Sequence, residues 1–153
     1  MPKHPFKWLR SFLPTFSRKR VTARTLRLLI EEFACDGADI EKIQRRIKEN
    51  GIHINTKDKN GRTLLHYAAK LVDDPKVHRG LLECRAKVNA KDSEGQTPFH
   101  FAAASNPNAE VLKVLIEFKA NIKAKDHAGR TAWNHAATNG SPEVHSLLAI
   151  LFG

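Results

Sequence analysis

Apolar side chains recur along this chain in short bursts at helical spacing, each closed by a turn signal. Leu26, Leu29, Ile30 and Phe33 share one face of a predicted helix over Thr25–Ala34. Ile43 and Ile47 mark a second over Ile40–Asn50, and Gly51 supplies its stop. Three further stripes follow: Val77, Leu81 and Leu82, then Val111, Leu112, Leu115 and Ile116, then Val144, Leu147 and Leu148. Stripes of this kind face a core rather than a cofactor. Asp74-Pro75 and Ser141-Pro142 read as N-caps with proline in the first turn, where a missing N–H costs nothing. Asn106-Pro107-Asn108 is a similar start. The last segment differs. Leu147–Phe152 is apolar on all sides, so one buried face accounts for only part of it.

Between the stripes the sequence repeats. Asp58, Asp92 and Asp126 stand 34 residues apart, as do Gly61, Gly95 and Gly129, and Thr63, Thr97 and Thr131. The three stretches read DKNGRTLLHYAA, DSEGQTPFHFAA and DHAGRTAWNHAA, and RAKVNAKD at 85–92 aligns with KANIKAKD at 119–126. Asp with Gly three residues later makes a tight turn, because the carboxylate bonds its own nearby backbone and Gly tolerates positive φ. Each Thr sits where a helix starts and can cap its free N–H groups. The Ala pairs at 68–69, 102–103 and 136–137 favour helix and allow close helix approach. His66 and His100 recur at the repeat spacing, which assigns them a structural hydrogen bond at the helix start rather than catalysis.

These strings resemble the ankyrin-repeat family, whose hallmark is a unit of about 33 residues with a Thr-Pro-Leu-His-x-Ala motif. Thr97-Pro98-Phe99-His100-Phe101-Ala102 is nearly the full pattern. The first copy has Leu64 in place of Pro; the third has Ala132 there and Asn134 in place of His. The resemblance covers about residues 22–153 and implies an all-α solenoid of stacked helix-turn-helix units with hairpin-like turn tips. It divides 21–153 into an atypical N-terminal capping unit at 22–57 and units at 58–91, 92–125 and 126–153, behind a tail at 1–20. Where the family usually has Gly at a helix end, this chain has Arg85 and Lys119, and a left-handed cap costs such residues about 1 kcal/mol.

The family's binding surface, carried over position by position, is a concave face of turn tips and first helices. Its tips are Lys57, Lys59, Asn60 and Arg62, then Lys91, Ser93, Glu94 and Gln96, then Lys125, His127, Ala128 and Arg130. The first-helix positions are Tyr67 and Lys70, Phe101 and Ala104, and His135 and Thr138. The implied work is non-enzymatic protein binding, and the basic tips favour a partner with an acidic surface.

Charge adds a second theme. The chain has a formal net charge of +10, and residues 1–30 hold eight Lys or Arg without one acid. Leu9, Phe12, Leu13 and Phe16 fall at helical spacing there, with Phe6 and Trp8 alongside and Lys7, Arg10, Arg18, Lys19 and Arg20 around them. A short basic amphipathic helix of this kind can lie on an anionic membrane surface. It also resembles an organelle presequence, and Arg18-Lys19-Arg20 is a weak nuclear-localisation string. Pro2, Pro5 and Pro14 limit helix length, so a tail packed on the first unit or left disordered is the plain alternative. The second functional reading is therefore an adaptor attached to a membrane, or less readily to nucleic acid, through Lys7, Trp8, Arg10, Phe12, Arg18, Lys19 and Arg20. Resemblance also suggests an effector or inhibitor of a host regulator.

Catalytic chemistry finds little support. The sequence carries no Gly-rich phosphate loop, nucleophile elbow or paired-carboxylate motif, and no cofactor is expected. His127, His135 and His145, eight and ten residues apart, do not share a helical face at metal-ligand spacing. Cys35 and Cys84, 49 residues apart, read as small buried apolar residues in a reducing compartment, cytoplasm or nucleus. The apolar final helix is expected to be covered by the tail, by a partner or, most simply, by a second copy.

Overall fold

The computed structural model describes residues 21–37 and 39–153, so the tail residues named above as attachment candidates lie outside it. Among the described residues there are eight α-helices and no strand: α1 (Ala23–Asp36), α2 (Ile40–Glu49), α3 (Leu64–Leu71), α4 (Pro75–Glu83), α5 (Pro98–Ser105), α6 (Ala109–Glu117), α7 (Ala132–His135) and α8 (Pro142–Phe152). The odd-numbered helices pack on one another in order, and the even-numbered helices form a second row. Each pair is joined by a short loop at one edge of the stack. A longer turn at the opposite edge leads to the next pair.

Local chemistry explains these boundaries. Second helices start at Asp39, Asp74, Asn108 and Ser141, whose side chains accept backbone N–H bonds from Lys42, Lys76, Glu110 and Val144. Pro75 and Pro142 occupy the first turn as expected, whereas Pro107 stands one residue before its N-cap, Asn108. The helix α1 begins earlier than its apolar stripe suggests, because Thr22 caps it by accepting from the Thr25 N–H.

The core is continuous along the stack. Leu26, Leu29, Ile30 and Phe33 of α1 meet Leu64, Leu65 and the Ala68–Ala69 pair of α3, and Val77, Leu81, Val111, Leu115, Val144 and Leu148 extend the layer through the even-numbered helices. Asparagines tie the loop edge together. The Asn106 amide donates to the Ala69 and Val72 carbonyls at 3.0 and 2.7 Å, and Asn139 does the same to Ala103 and Asn106 at 2.9 and 2.8 Å.

Two expectations are corrected. Cys35 is exposed rather than buried, because α1 turns it away from the face that carries Phe33. Cys84 is half-buried at the end of α4, where its thiol donates to the Ile40 carbonyl at 3.8 Å and burial pushes its pKa up. The third Ala pair also departs from its counterparts. Ala136 is buried but Ala137 is exposed, since α7 is only four residues long and continues as a 3-10 turn over Ala136–Thr138. The loop-edge residues Asn108 and Ser141 are accordingly 33 residues apart, not 34. A 3-10 turn rises about 2.0 Å per residue against about 1.5 Å in an α-helix, so three such residues recover the rise of the missing one.

Candidate functional site

The turn edge is built on three aspartates. Asp58 Oδ1 accepts the N–H groups of Asn60 and Arg62 at 2.8 and 3.0 Å; Asp92 and Asp126 repeat the pair one and two units on. Adjacent turns are also bonded to each other: Ser93 N–H donates to the Asn60 carbonyl and His127 N–H to the Glu94 carbonyl, both at 2.9 Å. A third tie lies at the base of each turn. Asn55 donates to the Arg85 carbonyl and accepts from the Lys87 N–H, and Asn89 treats Lys119 and Asn121 in the same way. Arg85 and Lys119 have φ of 67° and 68°, so these clamps hold two non-glycine residues in the left-handed region.

The recurring histidines hold the helix starts. His66 Nδ1 accepts the Thr63 N–H at 3.1 Å and its hydroxyl at 3.0 Å, which leaves the ring proton on Nε2 to donate to the Gln96 carbonyl at 3.1 Å. His100 spans from Thr97 to the Arg130 carbonyl in the same manner. Burial outweighs the bond to Gln96 and lowers the His66 pKa to about 4, and burial also lowers that of His100. Both rings are structural, as their spacing implied. Asn134 accepts from Thr131 with its side-chain oxygen but has no second ring nitrogen to reach forward.

The second carboxylate oxygen of each turn aspartate takes a different partner. Tyr67 donates its hydroxyl to Asp58 at 2.6 Å; burial and that bond push the phenol up to about 12. Arg62 reaches Asp92 at 3.4 Å and lies over the Phe101 ring, 5.1 Å from its centre. Asp126 accepts from Arg130 at 3.0 Å and from His135 Nε2 at 2.8 Å. Burial works against the Asp126 carboxylate, but the Arg130 N–H, His135 and the Arg130 guanidinium outweigh it and hold its pKa well below the usual range.

These bonds sort the surface residues carried over from the family. Lys57 donates its ammonium to the Lys91 carbonyl at 2.8 Å, and Gln96 bonds Glu94. With Arg62, Tyr67, Phe101, Arg130 and His135, they form the wall of the site and are committed to the fold. Lys59, Lys91, Ser93, Lys125 and His127 are exposed on the locked turns, and Asn60 is half-buried beside them. Lys70 is separated from this group, since it lies in the last turn of α3 toward the loop edge. Ala104 and Thr138 are joined there by a hydrogen bond from the Thr138 hydroxyl to the Ala104 carbonyl.

The remaining histidines have separate partners. His127 and His135 part company, and His145 Nε2 faces the Ala136 carbonyl at 2.9 Å. Among the described residues no three His, Cys, Asp or Glu side chains are grouped to hold a metal ion, and no helix is long and apolar enough to cross a membrane.

One feature escaped the sequence pattern. Trp133 occupies the position of Leu65 and Phe99, which are 0% and 1% exposed, yet it is 43% exposed and packs against the Phe152 ring at 6.4 Å. The motif alignment already placed a large aromatic there; only the stack shows that no further described unit covers it.

A sequence model for ankyrin repeats, in three copies, matches residues 73–151. With the helical stack described above, this shows that the chain belongs to the ankyrin-repeat family. Such repeats are generally protein–protein interaction modules. No curated protein matches the chain.

Proposed function

We propose that the protein is a non-enzymatic adaptor that binds another protein, one with an acidic surface, along the turn tips and the adjoining first helices. The observation that carries this reading is the set of exposed Lys59, Lys91, Ser93, Lys125 and His127 on turns whose backbone is locked by Asp58, Asp92 and Asp126. Side chains presented from a rigid frame bind with little ordering cost. Its place is a reducing intracellular compartment, where Cys35 stays a free thiol. The test is capture of partners by the full chain and by a Lys59→Glu, Lys91→Glu, Lys125→Glu variant of unchanged melting temperature. The variant is expected to lose the captured proteins; an identical captured set would remove the turn tips from the function.

We also propose self-association through the last unit. Trp133 and Ile150, 43% and 79% exposed, favour it, with Leu151 and Phe152 half-buried beside them. The opposite end of the stack is polar, with Arg24, Arg27 and Glu31 exposed, so the apolar end meets its own kind rather than that end.

A further inference from the structure

Charge in this fold is sorted by edge. The turn-edge segments 53–62, 85–96 and 119–130 hold ten Lys or Arg against four Asp or Glu, and three of those four are the buried turn aspartates. The loop-edge segments 39–42, 70–76, 104–110 and 138–143 hold six acidic and three basic residues. Ion pairing follows the same division. Arg27–Glu31, Arg46–Glu32, Arg79–Glu117 and Lys113–Glu110 neutralise charge on the helices. Among the described residues, the turn-edge Lys and Arg that pair with a carboxylate are Arg62 and Arg130, in each case with a buried aspartate.

Of the eight remaining cations, Lys57 donates to the Lys91 carbonyl and the other seven form two rows along the stack. Arg85, Lys87, Lys119 and Lys123 stand at and just beyond the ends of the second helices, and all are exposed. Lys59, Lys91 and Lys125 form the second row at the turn tips. Helix-end electrostatics accounts for Arg85 and Lys119, which face the negative ends of α4 and α6. It does not reach the other five.

We propose that the turn edge docks against an anionic lipid bilayer through the helix-end row, Arg85, Lys87, Lys119 and Lys123, which leaves the turn-tip row to the protein partner proposed above. The four helix-end side chains are all exposed, and among the described residues none of them is in an ion pair. The acidic loop edge then points away, so the molecule is oriented by the surface field. Topology adds the second support. The helix α1 runs from the turn edge to the loop edge, because its successor α2 runs back and ends at Gly51, where the first turn begins. Residue 21 therefore joins the fold at the basic edge. The segment it connects, 1–20, has six Lys or Arg, no acid, and the apolar series Leu9, Phe12, Leu13 and Phe16. Apolar residues interleaved with cations suit a headgroup–acyl boundary. Single-stranded nucleic acid fits less well, since stacking needs an open aromatic face and Phe101 on this edge lies under Arg62.

The test is flotation of the full chain with phosphatidylcholine vesicles, with and without phosphatidylserine as a minority component, at low and raised salt. Two variants of equal net charge are compared: Lys87→Glu with Lys123→Glu on the turn edge, and Lys70→Glu with Lys76→Glu toward the loop edge. The expected result is binding that requires phosphatidylserine and weakens with salt. The turn-edge variant should lose ~30-fold or more in affinity, from about fivefold per lost contact at the surface, while the loop-edge variant changes little. Equal losses in both variants would mean that net charge alone acts. An unchanged turn-edge variant would assign binding to the tail alone. Tighter binding to duplex DNA than to vesicles at the same salt would identify a different partner. Each of these three outcomes, or no vesicle binding at all, overturns the proposal. None of the four substituted lysines belongs to the triple variant that tests protein capture, so the two readings fail separately.

Discussion

Gly61 and Gly129 have nearly the same backbone, with φ of 73° and 76°, yet different surroundings. A Cβ on Gly61 would lie 2.9 Å from the backbone nitrogen of Ser93 in the next turn, while on Gly129 it would meet nothing within 4 Å. Gly129→Ala should therefore cost only the left-handed penalty, about 1–2 kcal/mol. Gly61→Ala should cost clearly more, because backbone in the neighbouring unit must move. Equal urea midpoints for the two variants would contradict the turn-to-turn contact. The histidines make a second prediction at this scale. His66 titrates near 4 in the fold against an ordinary 6.5, so the unfolded chain binds the proton more readily between these values. Its neutral ring contributes stability that is complete above pH 6.5 and is lost as pH falls toward 4, in full about 3 kcal/mol. Burial shifts His78 and His100 in the same direction. Urea midpoints should thus fall from neutral pH to about pH 5. His66→Asn, which copies the residue found at position 134, should be less stable at neutral pH but visibly less acid-sensitive. A midpoint that does not move with pH would show that the rings take up protons as readily in the fold as in the unfolded chain.

At the scale of elements, what matters is which contacts are local. The Asp–Gly turns, the Thr helix starts and the Asp74 and Ser141 caps were legible in the sequence because each is closed within about four residues. Asn55, Asn89, Asn106 and Asn139 were not, because their partners lie 30 to 37 residues away in neighbouring units. The shortening of α7 was hidden for a related reason: turn spacing stays at 34 and draws the eye from the loop spacing of 33. For the candidate site, the positions were readable, but which lysines and arginines are spoken for depended on the neighbouring turn. The clamp on Lys119 gives a direct test. Asn89→Ala should destabilise by about 1–2 kcal/mol, having removed two hydrogen bonds to the next unit. With Lys119→Gly already in place, the same change should cost less by ~0.5 kcal/mol or more, since Gly needs no clamp to stay left-handed. Strict additivity in this double-mutant cycle would separate the clamp from the backbone conformation.

For the whole molecule, the uneven ends of the stack are decisive. Among the described residues, the first unit exposes charged side chains, whereas the last exposes Trp133, Ile150 and part of Phe152. Sedimentation of the full chain should show a concentration-dependent dimer, and Trp133→Glu with Ile150→Glu should return it to monomer without loss of helical content. Both side chains are largely outside the core, so the substitutions test association rather than folding. A monomer at every concentration would leave the apolar end without a second copy.

The shortened α7 has a consequence for how this surface can change over time. Its missing residue is absorbed within the last first-helix, so the turns on one edge keep a constant interval while the loops on the other fall out of step. Beside that offset lies an open depression of about 730 Å³, lined by Ala104, Ser105, Thr138 and Ser141 among others. The two edges thus tolerate change differently. An insertion or deletion at the loop edge can be taken up by rewinding one helical turn, but the same change in a turn would break the bonds from Ser93 to Asn60 or from His127 to Glu94. The turn edge behaves as a ruler with fixed divisions, on which side chains can be exchanged and spacing cannot.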